Sequence, residues 1–432
     1  MVKEIKFMTS KCFQFLRFTG VCFLVLFCSS SFSWAQDITM AGRAFPPKVD
    51  SPLKFTGAGS CNQAKCHGHK SKPRANEYTT WAKAEVHSAG YSVLFEEDSQ
   101  KIGKDFGLKG KPEESKECTV CHTLSIEDKP DLKGEKYDVN EGVTCELCHG
   151  PADQYLEPHA KPYEPKGVTG AELIAKRAER HVQSVKQGMW DAKDPKTRLE
   201  TCVFCHYQIN GNMVKAGHPS LKFEMGYFQK TMPVHWEETP DKGDGFPAKM
   251  MAASQAISLR ESLLNLKGAA KAKLGKDILN DGLRQAQSHG NVLRVISGVG
   301  ITDSKGIEAG LSDLSKAIGD AGVLASKAEK LAGQADSLFN KMLQAKYDAG
   351  QVSKIVKAVA SDSHFTSSPS REDAIQAFMI VDGLSVDPDE SLLAAIDELY
   401  FGLFAEEKGQ EPPAYDAKVF GQNLAKVAGM VK

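Results

Sequence analysis

Apolar residues are distributed in two different ways along this chain of 432 residues. From about 239 to 432 they recur at helical spacing. Leu311, Leu314, Ile318, Ala321, Ala325, Ala328, Ala332, Ala335, Phe339 and Met342 follow one another three or four residues apart. That pattern predicts one long amphipathic helix with a stripe of small residues. Leu259, Leu263, Leu266, Ala270 and Leu274 predict a second helix, and Leu392, Leu393, Ile396, Leu399 and Leu403 a third. Ser370 with Asp373, and Asp387-Pro388 with Glu390, read as helix starts. Faces of this kind bury one another as a helical bundle. The alternative use of the same faces is a docking platform for a partner protein or a second subunit.

Between about 36 and 238 no such period appears. The segment is rich in Gly, Pro, His and Cys, with irregular stretches such as Ala44-Phe45-Pro46-Pro47 and Lys161-Pro162-Tyr163-Glu164-Pro165. Ahead of it, Lys3, Lys6, Lys11 and Arg17 precede the short apolar run Val21–Phe27, and Ser33-Trp34-Ala35 supplies small residues. This is the layout of a secretory signal peptide over residues 1–35, cleaved after Ala35, and it points to the periplasm or another exported location. No later segment has the apolar length of a membrane span. The whole chain carries a net charge of -1; loss of the leader removes a net +3 and leaves about -4. No basic stripe is present for nucleic acid.

Cysteine carries the chemistry. The leader takes three of the 11 cysteines with it, and the remaining eight fall into four pairs, each followed by histidine. The pairs are Cys61 and Cys66 with His67, Cys118 and Cys121 with His122, Cys145 and Cys148 with His149, and Cys202 and Cys205 with His206. Three read C-x-x-C-H and the first reads C-x-x-x-x-C-H. C-x-x-C-H is the attachment site of c-type haem: two thiols add to the porphyrin vinyl groups and the adjacent imidazole reaches the iron. A four-cysteine zinc site would not need a histidine after each second cysteine. Four such followers drawn by chance from 12 histidines is about a one-in-a-million event on composition. Four covalently attached haem c groups are therefore expected. So short a chain cannot wrap each one separately, so the porphyrins must share walls and serve as much of the core.

Six further histidines lie in the same region: His69, His87, His159, His181, His218 and His235. His87, His159, His218 and His235 are the candidates for the sixth iron position, against a surface or hydrogen-bonding role for each. His218 sits in Gly217-His218-Pro219, His235 beside Trp236, and His87 after the helix-like Glu77-Tyr78-Thr79-Thr80-Trp81. His159 lies ten residues beyond His149, near enough to serve the same cluster. His69 and His181 are weaker candidates, and His289 and His364 read as ordinary residues of the helical region.

Several elements together resemble the multihaem cytochromes of the cytochrome c-554-like family over roughly residues 55–236. They are Thr56 to Gly68 around the first pair, Val86-His87-Ser88-Ala89, the run Gly142 to Ala152, Ala216-Gly217-His218-Pro219 and Pro233-Val234-His235-Trp236. The resemblance implies periplasmic electron transfer among stacked haem pairs, with His87, His159, His218 and His235 as distal ligands. It also implies that one iron can be open, since related proteins carry out redox chemistry on nitrogen compounds. This chain departs from the pattern at Asn210-Gly211-Asn212, where many similar chains carry a histidine, and it has no further C-x-x-C-H after the helical region.

The expected fold is mainly α with much irregular structure. A tetrahaem cytochrome c domain over 36–238 is built around packed haems and is followed by a helical domain over 239–432. Its expected function is electron relay between a donor and an acceptor protein through mostly bis-histidine haems. The alternative is a redox enzyme with one open iron acting on nitric oxide, hydroxylamine or nitrite. Ligand counting favours the carrier.

Overall fold

The computed structural model describes residues 53–431 apart from 71–74, 161–166, 208, 236–242, 244, 368, 386 and 405–412. The signal peptide expected over residues 1–35 lies outside the described residues. The described residues all fall in one compact unit.

The chain is mainly helical. Its first part carries α1 (Glu77–Ala84), α2 (Glu97–Phe106), α3 (Lys116–His122), α4 (Cys145–His149), α5 (Gly170–Lys186), α6 (Pro195–His206), α7 (Gly211–Lys215) and α8 (Met225–Thr231). Single 3-10 turns and irregular backbone join them, and the isolated bridge between Phe55 and Lys133 is the one β-type pairing among the described residues. Up to residue 150, buried apolar side chains gather in a small cluster, Phe55, Leu124, Ile126 and Leu147. That core is too small to hold so long a stretch by hydrophobic burial alone.

The second part carries α9 (Phe246–Lys271), α10 (Lys276–Gly298), α11 (Lys305–Ala317), α12 (Ala321–Gln344), α13 (Ala349–Ser361), α14 (Ser363–Ser367), α15 (Arg371–Leu384), α16 (Glu390–Phe401) and α17 (Ala417–Met430). Helix α9 is its axis. Every residue from Met250 to Leu263 is buried, and α12, α10, α6 and α8 pack around it. A helix enclosed on all sides shows no clean polar stripe, so its periodicity announces only part of its length. The core it organises includes Leu199, Val203, Tyr207, Phe223 and Met225 from the first part of the chain.

Two local expectations change. The single helix expected from Leu311 to Met342 is broken after Ala317. Asp320 caps a new helix there, accepting hydrogen bonds from the Gly322 and Val323 amides at 3.0 Å. A side-chain oxygen that satisfies the open amides of a helix start favours a break even inside a continuous apolar stripe. Ser370 does cap α15, accepting from the Asp373 amide, but α16 is capped by Asp389 rather than Asp387, whose φ is +45°.

Candidate functional site

Three of the four cysteine-histidine motifs close a helix. Histidine is the last residue of α3, α4 and α6, at His122, His149 and His206. In a helix, positions i, i+3 and i+4 share one face, so both thiols and the imidazole project to the same side. The wider first motif uses turns. The Cys66 amide donates to the Gln63 carbonyl at 2.8 Å, and the His67 amide returns to the Cys61 carbonyl at 3.3 Å.

Carboxylates that sequence reasoning did not single out hold these motifs together. Glu146, buried inside the third motif, accepts from the amides of Thr56 at 2.8 Å, Gly57 at 2.7 Å and Ala152 at 2.8 Å. Burial pushes its carboxyl up to about 7. Glu141 accepts from the Ala58 and Gly59 amides at 2.8 and 3.0 Å. Together they clamp the turn that leads into Cys61. Gly57 sits in that turn at φ +85°, with the Lys136 carbonyl oxygen 1.8 Å from where a Cβ would stand, so only glycine fits.

The motifs abut one another. The Cys61 thiol interacts with that of Cys145, which lowers the first and raises the second, and Cys205 is raised by the same kind of contact with Cys121. Cys148 lies close enough to Cys202 to feel its charge. The order of contact is therefore first, third, fourth, second. Burial pushes the thiols of Cys118 and Cys202 up to about 11 and that of Cys148 to about 12. Among the described residues no three His, Cys, Asp or Glu side chains converge as ligands for a bare metal ion, and the two C-x-x-C pairs weighed as a zinc site do not gather into one.

The histidines are arranged in facing pairs. The rings of His67 and His159 lie 6.1 Å apart with planes 3° from parallel. His87 and His206 lie 6.4 Å apart at 83°, and His122 and His218 lie 6.3 Å apart at 73°. Each pair joins a motif histidine to one of the sequence candidates. Two imidazoles bound through Nε2 to one metal, with bonds of about 2.0 to 2.1 Å as imidazole makes to zinc, have ring centres about 6.3 Å apart. The observed spacing suits one iron between each pair. His149 is the fourth motif histidine; burial, then the charges of His235, His67, His159 and His181, pull it down to about 4.

Hydrogen bonding engages Nδ1 in His67, His87, His122, His159 and His218, whereas Nδ1 of His206 is buried without a hydrogen-bond partner. Nδ1 of His67 meets Glu77 at 2.8 Å, that of His87 meets Glu85 at 2.6 Å, and that of His122 meets the Gly90 carbonyl at 2.7 Å. Nδ1 of His159 meets the Tyr155 carbonyl at 2.9 Å, and that of His218 the Pro219 carbonyl at 2.9 Å. An N–H donated from Nδ1 fixes the tautomer that leaves Nε2 with its lone pair for a metal. Burial also lowers His122 and His159, and His206 to about 4, favouring the neutral imidazole a metal requires. The donor set and its spacing fit haem. His181 differs, because its Nε2 is engaged by Asp191 at 2.8 Å.

His87 is less simply placed than its sequence suggests. Helix α1 ends at Ala84, and His87 lies in the following 3-10 turn, Val86–Ala89. Its carbonyl accepts from the Val143 amide at 3.0 Å, and Trp81 Nε1 donates to the Val143 carbonyl at 3.0 Å. This candidate for one motif is thus tied by backbone to the segment entering another.

Residues 60–150 match the family model of cytochrome c554 and c-prime. The match supports a c-type cytochrome, with covalently bound haem and its iron, and such a protein exchanges electrons with redox partners. No curated protein and no solved structure matches the chain. Among the described residues no helix is long and apolar enough to cross a membrane.

Proposed function

We propose that this chain is a periplasmic tetrahaem c-type cytochrome that relays electrons between two redox partner proteins. The reading rests above all on the three imidazole pairs at 6.1 to 6.4 Å, each joining a motif histidine to a histidine distant in sequence. Haem c supplies a one-electron iron couple. The cysteine pairs 61/66, 118/121, 145/148 and 202/205 would hold the four groups covalently. His67 with His159, His122 with His218, His206 with His87, and His149 with His235 would hold the irons. In this reading the Nδ1 partners of His67, His87, His122, His159 and His218 keep those rings oriented, and the contact order first, third, fourth, second makes the attachment sites one unbroken row. Residues 36–238 form the haem-bearing part, and 239–432 the helical part that flanks it and offers a surface for docking.

The second reading, a redox enzyme with one open iron acting on a small nitrogen compound, draws on His149. Among the described residues the other three motif histidines have a facing ring at ligation spacing.

Electron paramagnetic resonance of the oxidised protein tests the assignment. Parallel imidazole planes split the iron d orbitals that take part in π bonding, whereas perpendicular planes leave them nearly degenerate. The His67–His159 pair at 3° is expected to give a rhombic low-spin signal. The pairs at 83° and 73° are expected to give strongly axial ones. A spectrum with only high-spin signals would contradict the reading.

A further inference from the structure

Helix α1 presents two carboxylates to the histidine cluster, one at each end. Glu77, its first residue, hydrogen-bonds His67 and lies near enough to His235 to feel its charge. Glu85, which caps its C-terminus, stands between two histidines. Its side chain is 5% exposed. Oε1 lies 2.6 Å from Nδ1 of His87, while Oε2 lies 3.7 Å from Nδ1 of His235, a nitrogen that also meets the Pro233 carbonyl at 3.3 Å. That second oxygen is buried and has no hydrogen-bond partner. A buried carboxylate oxygen without a donor loses its hydration without replacement, so it is held there against a penalty. The remaining contacts are local and fix the backbone: the Glu85 amide donates to the Trp81 carbonyl, and Ser88 bonds back to the Glu85 carbonyl. Its charge also reaches Cys148 of the third motif.

Every other ring-orienting contact found in the cluster is a single acceptor for a single imidazole. We propose that Glu85 is a shared positioning residue, one carboxylate orienting the two distal imidazoles His87 and His235 and thereby linking the redox behaviour of the two irons they hold. The inference rests on the ligand assignment of the proposed function, which gives His87 and His235 to different haems. A carboxylate on the far nitrogen raises the basicity of an imidazole ligand and favours the more positive, oxidised iron. One charge placed between two ligands does this to both irons.

The test is a potentiometric titration of the haem-loaded protein, followed optically and by electron paramagnetic resonance, with haem counted by mass. Glu85→Gln keeps the shape and removes the charge. It is expected to retain four haems and to shift two of the four midpoints upward together. Glu77→Gln, as a control, is expected to shift chiefly the midpoint of the haem on Cys61 and Cys66 and to leave that of the His87 haem in place. A shift of one midpoint or none in Glu85→Gln overturns the proposal. If that variant does not load four haems, Glu85→Asp is titrated instead. It is expected to move the same two midpoints by a smaller amount, and a single shift again overturns the idea. His87→Ala and His235→Ala separate this failure from that of the underlying reading. If either leaves every haem low-spin, the ligand assignment falls whatever Glu85 does.

Discussion

The phenol of Tyr207, the residue after the motif histidine His206, lies 2.8 Å from Nε2 of His289 on α10. Nδ1 of His289 in turn meets Gln255 Oε1 at 2.8 Å, and Gln255 donates to Gln376 at 3.0 Å. Gln376 reaches the Phe223 carbonyl at 3.5 Å, and the Phe223 ring lies 5.1 Å from that of His206. A buried polar circuit therefore leaves the fourth motif, crosses the helical core and returns to it. Helix and motif regions are joined by more than apolar packing.

That circuit fixes how the fold responds to acid. Burial pulls His289 from 6.5 down to about 3, so the folded chain keeps it neutral where the unfolded chain takes up a proton. Stability should then fall as pH drops from about 6.5 toward 3, by on the order of 5 kcal/mol. His289→Gln should flatten this limb in denaturant titrations between pH 7 and pH 3. It should also lower stability at pH 7, where the Tyr207 contact is lost. An unchanged acid limb in the variant would show that His289 does not control it.

The pairing of ligands is open to a combined substitution. His159 faces His67, although its sequence position suggested the cluster around His149. His159→Ala should convert one low-spin haem to high-spin without loss of covalent haem. Made on top of Cys61→Ala with Cys66→Ala, which should leave three haems, it should change nothing further in the spectrum. An added high-spin signal in the triple variant would place His159 on another iron. His218→Ala should likewise act only on the haem bound by Cys118 and Cys121.

The turn ahead of Cys61 should be the least tolerant part of the chain. Glu146→Gln puts an amide group among backbone N–H donors and leaves at least one unsatisfied, a loss of about 2 kcal/mol. Gly57→Ala drives a methyl into the Lys136 carbonyl at a positive φ, at a cost of at least about 3 kcal/mol. Thermal unfolding of the purified proteins measures both, and Glu146→Gln should be the milder. A Gly57→Ala protein as stable as the parent would remove the clamp from the account.

The mainly helical fold and the four motifs could be read directly, because covalent spacing and a 3.6-residue period are local properties. His87, His159 and His218, whose rings lie beside motif histidines, were also singled out from their sequence surroundings. Which histidine faces which could not be read, because it depends on how distant segments meet: His67 and His159 are separated by α1 to α4. Glu77, Glu85, Glu141 and Glu146 went unnoticed for a similar reason. A lone glutamate in a charged chain looks like any solvated one until its burial and its partners are known. The break at Asp320 was hidden by an apolar stripe that runs across it unaltered.

The central claim is that four covalent haems have both axial positions filled from within the chain. The most direct measurement is the mass of the exported protein together with its reduced absorption spectrum, with and without carbon monoxide. The account predicts four added haem masses and a spectrum that carbon monoxide leaves unchanged. Partial binding of carbon monoxide would contradict it, reveal an open iron and favour the enzyme reading, with the haem of His149 as the first place to look.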